Sequence, residues 1–263
     1  MNKIDFDNMK WSYSRVNSFI TCPRMFYFQY IDNKKGLSNA FAQYGTFMHE
    51  LIEDVCNEKK DNFKALIEYK SNFEKKIPEK FPFNKYSNLK DKYYKEGINY
   101  LSFFNKFKGY KIVETERKLD FTLGGYRFTG YIDLVLRDKE GNVILLDHKS
   151  KGSIKENEKE EYFRQLYLYA TQSETLYGSK PHKLVLNLFR SGTSIVTKYD
   201  DKASEKAVKK LLDTIESIKL EKEFKPKWNT ITQLNKDFFC KEICSHRKNC
   251  REWVKECKKK VKK

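Results

Sequence analysis

The chain has 263 residues, 39% of them hydrophobic and 15% aromatic, which is long and apolar enough for a substantial core and excludes a disordered chain. A formal net charge of +17 points to a polyanionic partner, nucleic acid first, although an AT-rich coding bias toward Lys, Asn, Ile and Tyr would enrich the same residues. No apolar run of about 18 residues occurs, and the N-terminus MNKIDFDNMKW has no apolar signal core, so the expectation is an intracellular, cytoplasmic protein without a membrane span.

Residues 12–30, SYSRVNSFITCPRMFYFQY, predict a helix capped by Ser12 or Ser14, a break at Cys22-Pro23 and then an aromatic helix. Residues 45–60, GTFMHELIEDVCNEKK, predict a second helix, with Met48, Leu51, Ile52 and Val55 on one face and Cys56 as a packing thiol. Residues 57–110 form a helical insertion with Lys- and Tyr-rich faces, interrupted around Pro78 and Pro82; its aromatic run YLSFFNKF suits core better than base stacking. From about 111 to 149 the period changes to two, which predicts three strands. Residues 158–177 return to helix, HKLVLNLFR and TSIVTKYD form a hairpin around Ser191-Gly192, and 201–222 form a polar-faced helix. The Cys-rich segment 236–257 is expected to be short and irregular, and the ending CKKKVKK to be a solvated tail that adds phosphate affinity. His182 and His246 carry no assignable signal.

The three strands can be put in register by counting. Asp138–Asn142 is a hairpin loop, and if Arg137 faces Val143, Asp133 lies opposite Asp147. Gly124-Gly125 suits a tight two-residue turn, and if Leu123 faces Tyr126, Glu116 lies opposite Asp133. Three carboxylates then form one row, with opposed Cβ atoms about 4.5–5.5 Å apart. Such a row is repulsive unless a cation offsets it, and Mg²⁺ or Mn²⁺ suits oxygen ligands. Period two places Lys149 on the same face as Asp147, so the strand VILLDHK ends in charges because they form a site. The bland alternative is an exposed edge with scattered charges, which Asp133, set inside the apolar run YIDLVL, opposes.

At these residues the chain resembles the PD-(D/E)XK nuclease superfamily and, within it, the RecB-like nucleases. The matching elements are SYSRVNSFITCPRMFYFQY, the Gly-Thr-x-x-His helix GTFMHELIE, the Gly-x-x-Asp and Asp-x-Lys core GYIDLVL and LLDHKS, and the Gln-x-x-x-Tyr helix QLYLYA. The resemblance implies an α/β fold, a restriction-endonuclease-like core with a central mixed sheet flanked by helices. It implies metal ligation by His49, Asp133, Asp147 and the main-chain carbonyl of His148. Lys149 would orient the attacking water and stabilise charge on the phosphate. Glu116 would hold a second metal or its water, and Gln165 and Tyr169, one turn apart, would contact the phosphate or steady Lys149.

Six cysteines are present, four of them within the last 24 residues; without a secretion signal this suggests metal or cluster ligation rather than disulfides. Some RecB-like nucleases bind a [4Fe–4S] cluster with one cysteine before the core and three after it. The resemblance therefore implies Cys22, Cys240, Cys244 and Cys250 as ligands, with Cys257 as substitute for Cys240, because the first gap in CKEICSHRKNC is one residue longer than the family usually shows. Thiolates suit Zn²⁺ as well.

The reading is a single RecB-like nuclease domain over 1–263, a metal-dependent deoxyribonuclease that acts as an exonuclease in recombination, repair, or phage or CRISPR DNA processing. Its substrate would be single-stranded DNA or DNA with free ends, and its working partners a recombinase, a helicase or a single-strand-binding protein. The rivals are a structure-specific endonuclease, a catalytically inactive nucleic-acid-binding module and a zinc-stabilised RNA-binding protein.

Overall fold

The structure, a computed structural model, describes the backbone of residues 5–261 and side chains as far as Glu256. Cys257 and the basic ending therefore lie outside the residues whose side chains are described.

Five strands form one mixed sheet in the order β1 (Lys111–Leu123), β2 (Tyr126–Arg137), β3 (Val143–Lys149), β4 (Lys183–Leu188) and β5 (Thr193–Lys198). The β1–β2 turn is tight because Gly124 and Gly125 both take positive φ, +58° and +81°, which side-chain-bearing residues resist. β2 and β3 are antiparallel with Arg137 opposite Val143 and Leu134 opposite Leu146, the register that counting predicts. β3 pairs with β4 in parallel, and β4 with β5 antiparallel. β3 is buried along all but its last residue, as its run of Val, Ile and Leu requires of a strand covered on both faces.

Helix α1 (Tyr13–Thr21) is capped by Ser12, whose hydroxyl accepts the Arg15 N–H at 3.1 Å. It stops at Cys22, and α2 (Pro23–Phe26) begins with Pro23 where the missing N–H costs nothing, before a π-helical turn at Tyr27–Ile31. Helix α3 (Ala40–Cys56) starts five residues before Gly45. Helices α4 (Asn62–Lys76) and α5 (Leu89–Phe103) are separated by the segment 77–88, which holds both prolines. The helix expected over 158–177 is two, α6 (Lys159–Ala170) and α7 (Ser173–Tyr177), the latter ended by Gly178 at φ +79°. Helix α8 spans Asp201–Leu220.

The Cys-rich end is not irregular. It forms α9 (Ile231–Lys236), a π-helical turn at Phe239–Ile243 and α10 (Arg247–Val261). Charged residues dominate α10, but Cys250 and Val254 fall one turn apart and are both buried, which is stripe enough to fix a helix.

The chain divides into two compact units. One gathers the residues up to Asn39, the turn Thr122–Arg127 and Leu211 onward. Its core includes Phe28, Leu234, Cys240, Cys250 and Val254. The other comprises Ala40–Phe121 and Phe128–Lys210. There the expected α3 face, Met48, Leu51, Ile52 and Val55, is fully buried in one cluster with Leu134, Leu136, Ile144 and Leu146. Each such side chain contributes about 1.5–3 kcal/mol. In the aromatic run, Tyr100, Leu101 and Phe104 are core as expected, while Phe103 is exposed. Among the described residues no helix is long and apolar enough to cross a membrane.

Candidate active site

Where β2 and β3 leave the core, side chains from three elements converge. Ligand atoms of His49 on α3, Glu116 on β1 and Asp133 on β2 all lie within 4.8 Å of one another. His49 Nδ1 is 3.8 Å from Asp133 Oδ2, and His49 Nε2 is 3.1 Å from the main-chain carbonyl of His148. The His148 N–H in turn donates to Asp133 Oδ2 at 2.7 Å, which ties β3 to the β2 acid. The β2–β3 ladder ends at Leu134 opposite Leu146, and Asp133 and Asp147 are the next residues on the two strands. Asp147 is buried and stands outside the threefold group, because its carboxylate turns toward Lys149. Lys149 Nζ forms an ion pair with Asp147 Oδ2 at 2.7 Å and donates to Gln165 Oε1 at 3.1 Å. Tyr169, one turn along α6 from Gln165, lies against Gly130 of β2.

The electrostatics follow from this crowding. Burial, then the charge of Asp147, raises Asp133 well above the usual carboxylate range. Burial raises Glu116 too, with Glu53 and Asp147 adding to it. Burial lowers His49, which favours the neutral ring that can bind a metal. Burial alone would lower Lys149, but the Asp147 charge and contact outweigh it and hold the ammonium above its ordinary value. The donor set of half-buried carboxylate oxygens and a neutral imidazole, with like charges pressed together, therefore fits a divalent cation.

Three features of this site escape a linear reading. Glu116 has φ +46° in the middle of β1, a left-handed conformation that costs a non-glycine residue about 1–3 kcal/mol. The regular alternation of β1 is thus broken at Glu116 itself, yet its carboxylate still lies beside Asp133. Second, the His148 side chain points away from the acids: its Nδ1 lies 2.8 Å from the amide nitrogen of Asn187, which also donates to Tyr100 Oη at 2.7 Å. Nothing local marks that trio, which exists only because β4 pairs in parallel with β3. Third, Glu53, whose charge acts on Glu116, is one turn beyond His49 on α3, and that spacing was its available signal.

In the other unit, Cys22, Cys240, Cys244 and Cys250 line one small cavity with Met25 and Phe28. All four are buried free thiols, as is Cys56 in the unit of the acids. Burial pushes Cys240 and Cys250 up to about 12 and raises Cys244. Cys22 Sγ accepts the Lys227 N–H at 3.4 Å, and the Cys240 N–H donates to Asp237 at 2.9 Å. His246 is a core residue, its ring 5.8 Å from that of Phe28. Four thiols in an apolar pocket, with Arg24, Arg247 and Arg251 near enough to favour thiolates, are a donor set that fits soft-metal ligation.

The chain matches the family model of the PD-(D/E)XK nuclease superfamily over residues 10–251. Among solved structures, a protein of Eubacterium rectale provisionally described as an exonuclease superposes with a TM-score of 0.51 at 11% identity, covering 86% of this chain and 87% of that one. A protein named SSO0001 gives a TM-score of 0.33 at 20% identity, with 76% and 82% covered. The first is a likeness of fold. No curated protein matches the chain.

Proposed function

This chain belongs to the PD-(D/E)XK nuclease superfamily, and from that premise we propose that it is a metal-dependent deoxyribonuclease that degrades DNA from ends. The observation that carries the reading is the convergence of His49, Glu116 and Asp133 within 4.8 Å, with the Asp147–Lys149 ion pair on the neighbouring strand end. The exonuclease description of the Eubacterium rectale protein points the same way.

In this reading His49, Asp133, Asp147 and the His148 carbonyl hold a Mg²⁺ or Mn²⁺ ion, with Glu116 beside them for a second ion or its water. Such an ion supplies a water of lowered pKa and a counter-charge for the phosphate. Lys149 remains cationic, orients the water and stabilises negative charge on the reacting phosphate. Gln165 fixes the ammonium by accepting from it. Tyr169 braces α6 against β2. The His148 N–H holds the Asp133 carboxylate in place. Cys22, Cys240, Cys244 and Cys250 hold a [4Fe–4S] cluster, whose negative charge the nearby arginines offset; Zn²⁺ is the alternative occupant.

End-labelled linear DNA and closed circular DNA, incubated with Mg²⁺, Mn²⁺ or EDTA, test the reading. We expect loss of label from linear DNA with either metal, none in EDTA, and a spared circle. Cutting of the circle makes the protein an endonuclease. DNA binding with no cleavage under any condition makes it an inactive binding module and overturns the proposal.

A further inference from the structure

The connection 77–88 between α4 and α5 carries two aromatic side chains that no core claims. Phe83 is 93% exposed, the most exposed large apolar side chain among the described residues, and Tyr86 is 83% exposed. The segment itself is firmly held. Phe81 is tucked beneath it, its ring 5.4 Å from Phe41 and 5.0 Å from Tyr93. Asn84 Oδ1 accepts the N–H groups of Tyr86 and Ser87 at 2.8 and 3.2 Å, and Asn88 caps α5. A loop pinned at so many points presents Phe83 and Tyr86 to water as a fixed surface beside a groove of about 660 Å³ lined in part by Lys80, Pro82 and Phe83.

Charge and position say what covers that surface. Segment 77–88 holds Lys80 and Lys85 against one acid, Glu79, and Lys85 Nζ sits 4.7 Å from the ring centre of Tyr86. The Glu79 N–H donates to the side chain of Gln43 on α3 at 3.1 Å. Two residues on, Gly45 faces Ser150, the residue after Lys149: a Cβ at position 45 would lie 3.7 Å from that of Ser150. The first turns of α3 thus touch both the aromatic segment and the rim of the acidic site, and Gln43 stands six residues, about 9 Å of helix, from His49. Exposed aromatic rings among cations are what unpaired bases stack on; a duplex hides its base faces and offers phosphates and groove edges instead.

We propose that segment 77–88 is a base-stacking platform for single-stranded DNA, with bases laid on Phe83 and Tyr86 and phosphates drawn by Lys80 and Lys85. The proposal rests on the reading of the acidic site as that of a DNA nuclease. It makes the strand that reaches the site single, at least over the nucleotides next to it.

The test is fluorescence anisotropy of a labelled oligothymidylate and a blunt duplex in EDTA, comparing wild type, the double variant Phe83→Ala/Tyr86→Ala, and Phe83→Trp. Both positions are exposed, so folding is not at issue. The double variant should bind the oligothymidylate about tenfold or more weakly and the duplex within about twofold of wild type. Phe83→Trp should bind as wild type does and show an added emission that the oligothymidylate quenches. Its Mg²⁺-dependent hydrolysis of bis(p-nitrophenyl) phosphate should be unchanged, as should that of the double variant. Equal oligothymidylate affinities, equal losses for strand and duplex, or an unquenched emission each overturn the platform. If wild type cleaves no phosphodiester but the affinities shift as expected, the nuclease reading fails and the platform stands.

Discussion

The ring of Tyr169 closes on Gly130: a Cβ at position 130 would fall 2.4 Å from Tyr169 Oη and 2.6 Å from Cε1 and Cζ. The Gly of the Gly-x-x-Asp element is thus read here as a space for α6 rather than as a backbone hinge. Gly130→Ala must displace the tyrosine and, with it, the helix that carries Gln165. We expect a stability loss of about 1–3 kcal/mol, typical of overpacking, and a fall in cleavage. Adding Tyr169→Ala removes the clash, so the double variant should be no less stable than Tyr169→Ala alone in urea unfolding. An additive loss would show that the two residues do not press on one another.

Asp147→Asn and Lys149→Ala should each reduce cleavage about 100-fold or more while leaving DNA binding largely intact, because in the proposed reading Asp147 holds the metal and Lys149 the reacting phosphate, and neither grips the bulk of the strand. Gln165→Ala should cost less, since Lys149 keeps its contact with Asp147. The assignment fails if either of the first two variants cleaves at the wild-type rate at matched Mg²⁺.

The raised acids make metal binding proton-linked. Asp133 is lifted by burial and by Asp147, and Glu116 by burial and by Glu53, so without a cation both hold protons to a higher pH than an exposed carboxylate. With a folded-state pKa above the unfolded one, each contributes stability that is present below its ordinary value and lost as pH rises through the folded-state value. A divalent cation favours the ionised forms and must expel those protons. Calorimetry of Mn²⁺ binding at mildly acidic pH, in buffers of different ionisation enthalpy, should therefore show proton release that shrinks as pH rises and disappears in Asp133→Asn/Glu116→Gln. Binding without proton release at any pH would contradict the coupling.

Cys22→Ala and Cys250→Ala should yield poorly soluble, less stable protein, with nuclease loss following from that. A metal or cluster absent from the unfolded chain adds its binding energy to folding, and a link between Cys22 and Cys250 closes a long loop. Anaerobically purified protein should be brown, with iron and acid-labile sulfide by elemental analysis; zinc alone would indicate the other occupant. Folded protein holding neither, with reactive thiols, would remove the site.

Much of this geometry is legible from local chemistry. The β2–β3 register follows from one hairpin loop, and α3 from the spacing of Met48, Leu51, Ile52 and Val55, because burial enforces period two in a strand and 3.6 in a helix. What is not legible depends on partners remote in sequence. Glu116 has an ordinary strand context, yet its backbone turns left-handed among neighbours supplied by α3 and β2. Asn187 reaches His148 across a parallel pairing. The aromatic run of α5 could not reveal that Phe104 turns inward and Phe103 outward, and the charges of α10 hide the stripe that makes it a helix.

The order of the units along the chain has a consequence for synthesis. The segment up to Asn39 belongs with residues from Leu211 onward, while the acids lie in the stretch between them. At about 5–20 residues per second, the ribosome needs on the order of ten to thirty seconds to cross that interval. The acid-bearing stretch can collapse while it is being made, whereas Cys22 leaves the exit tunnel long before Cys240, Cys244 and Cys250 exist. Its cavity therefore closes only after residue 250 has emerged, later than the acid-bearing stretch, so a chain stalled before that point leaves Cys22 without its three neighbouring thiols.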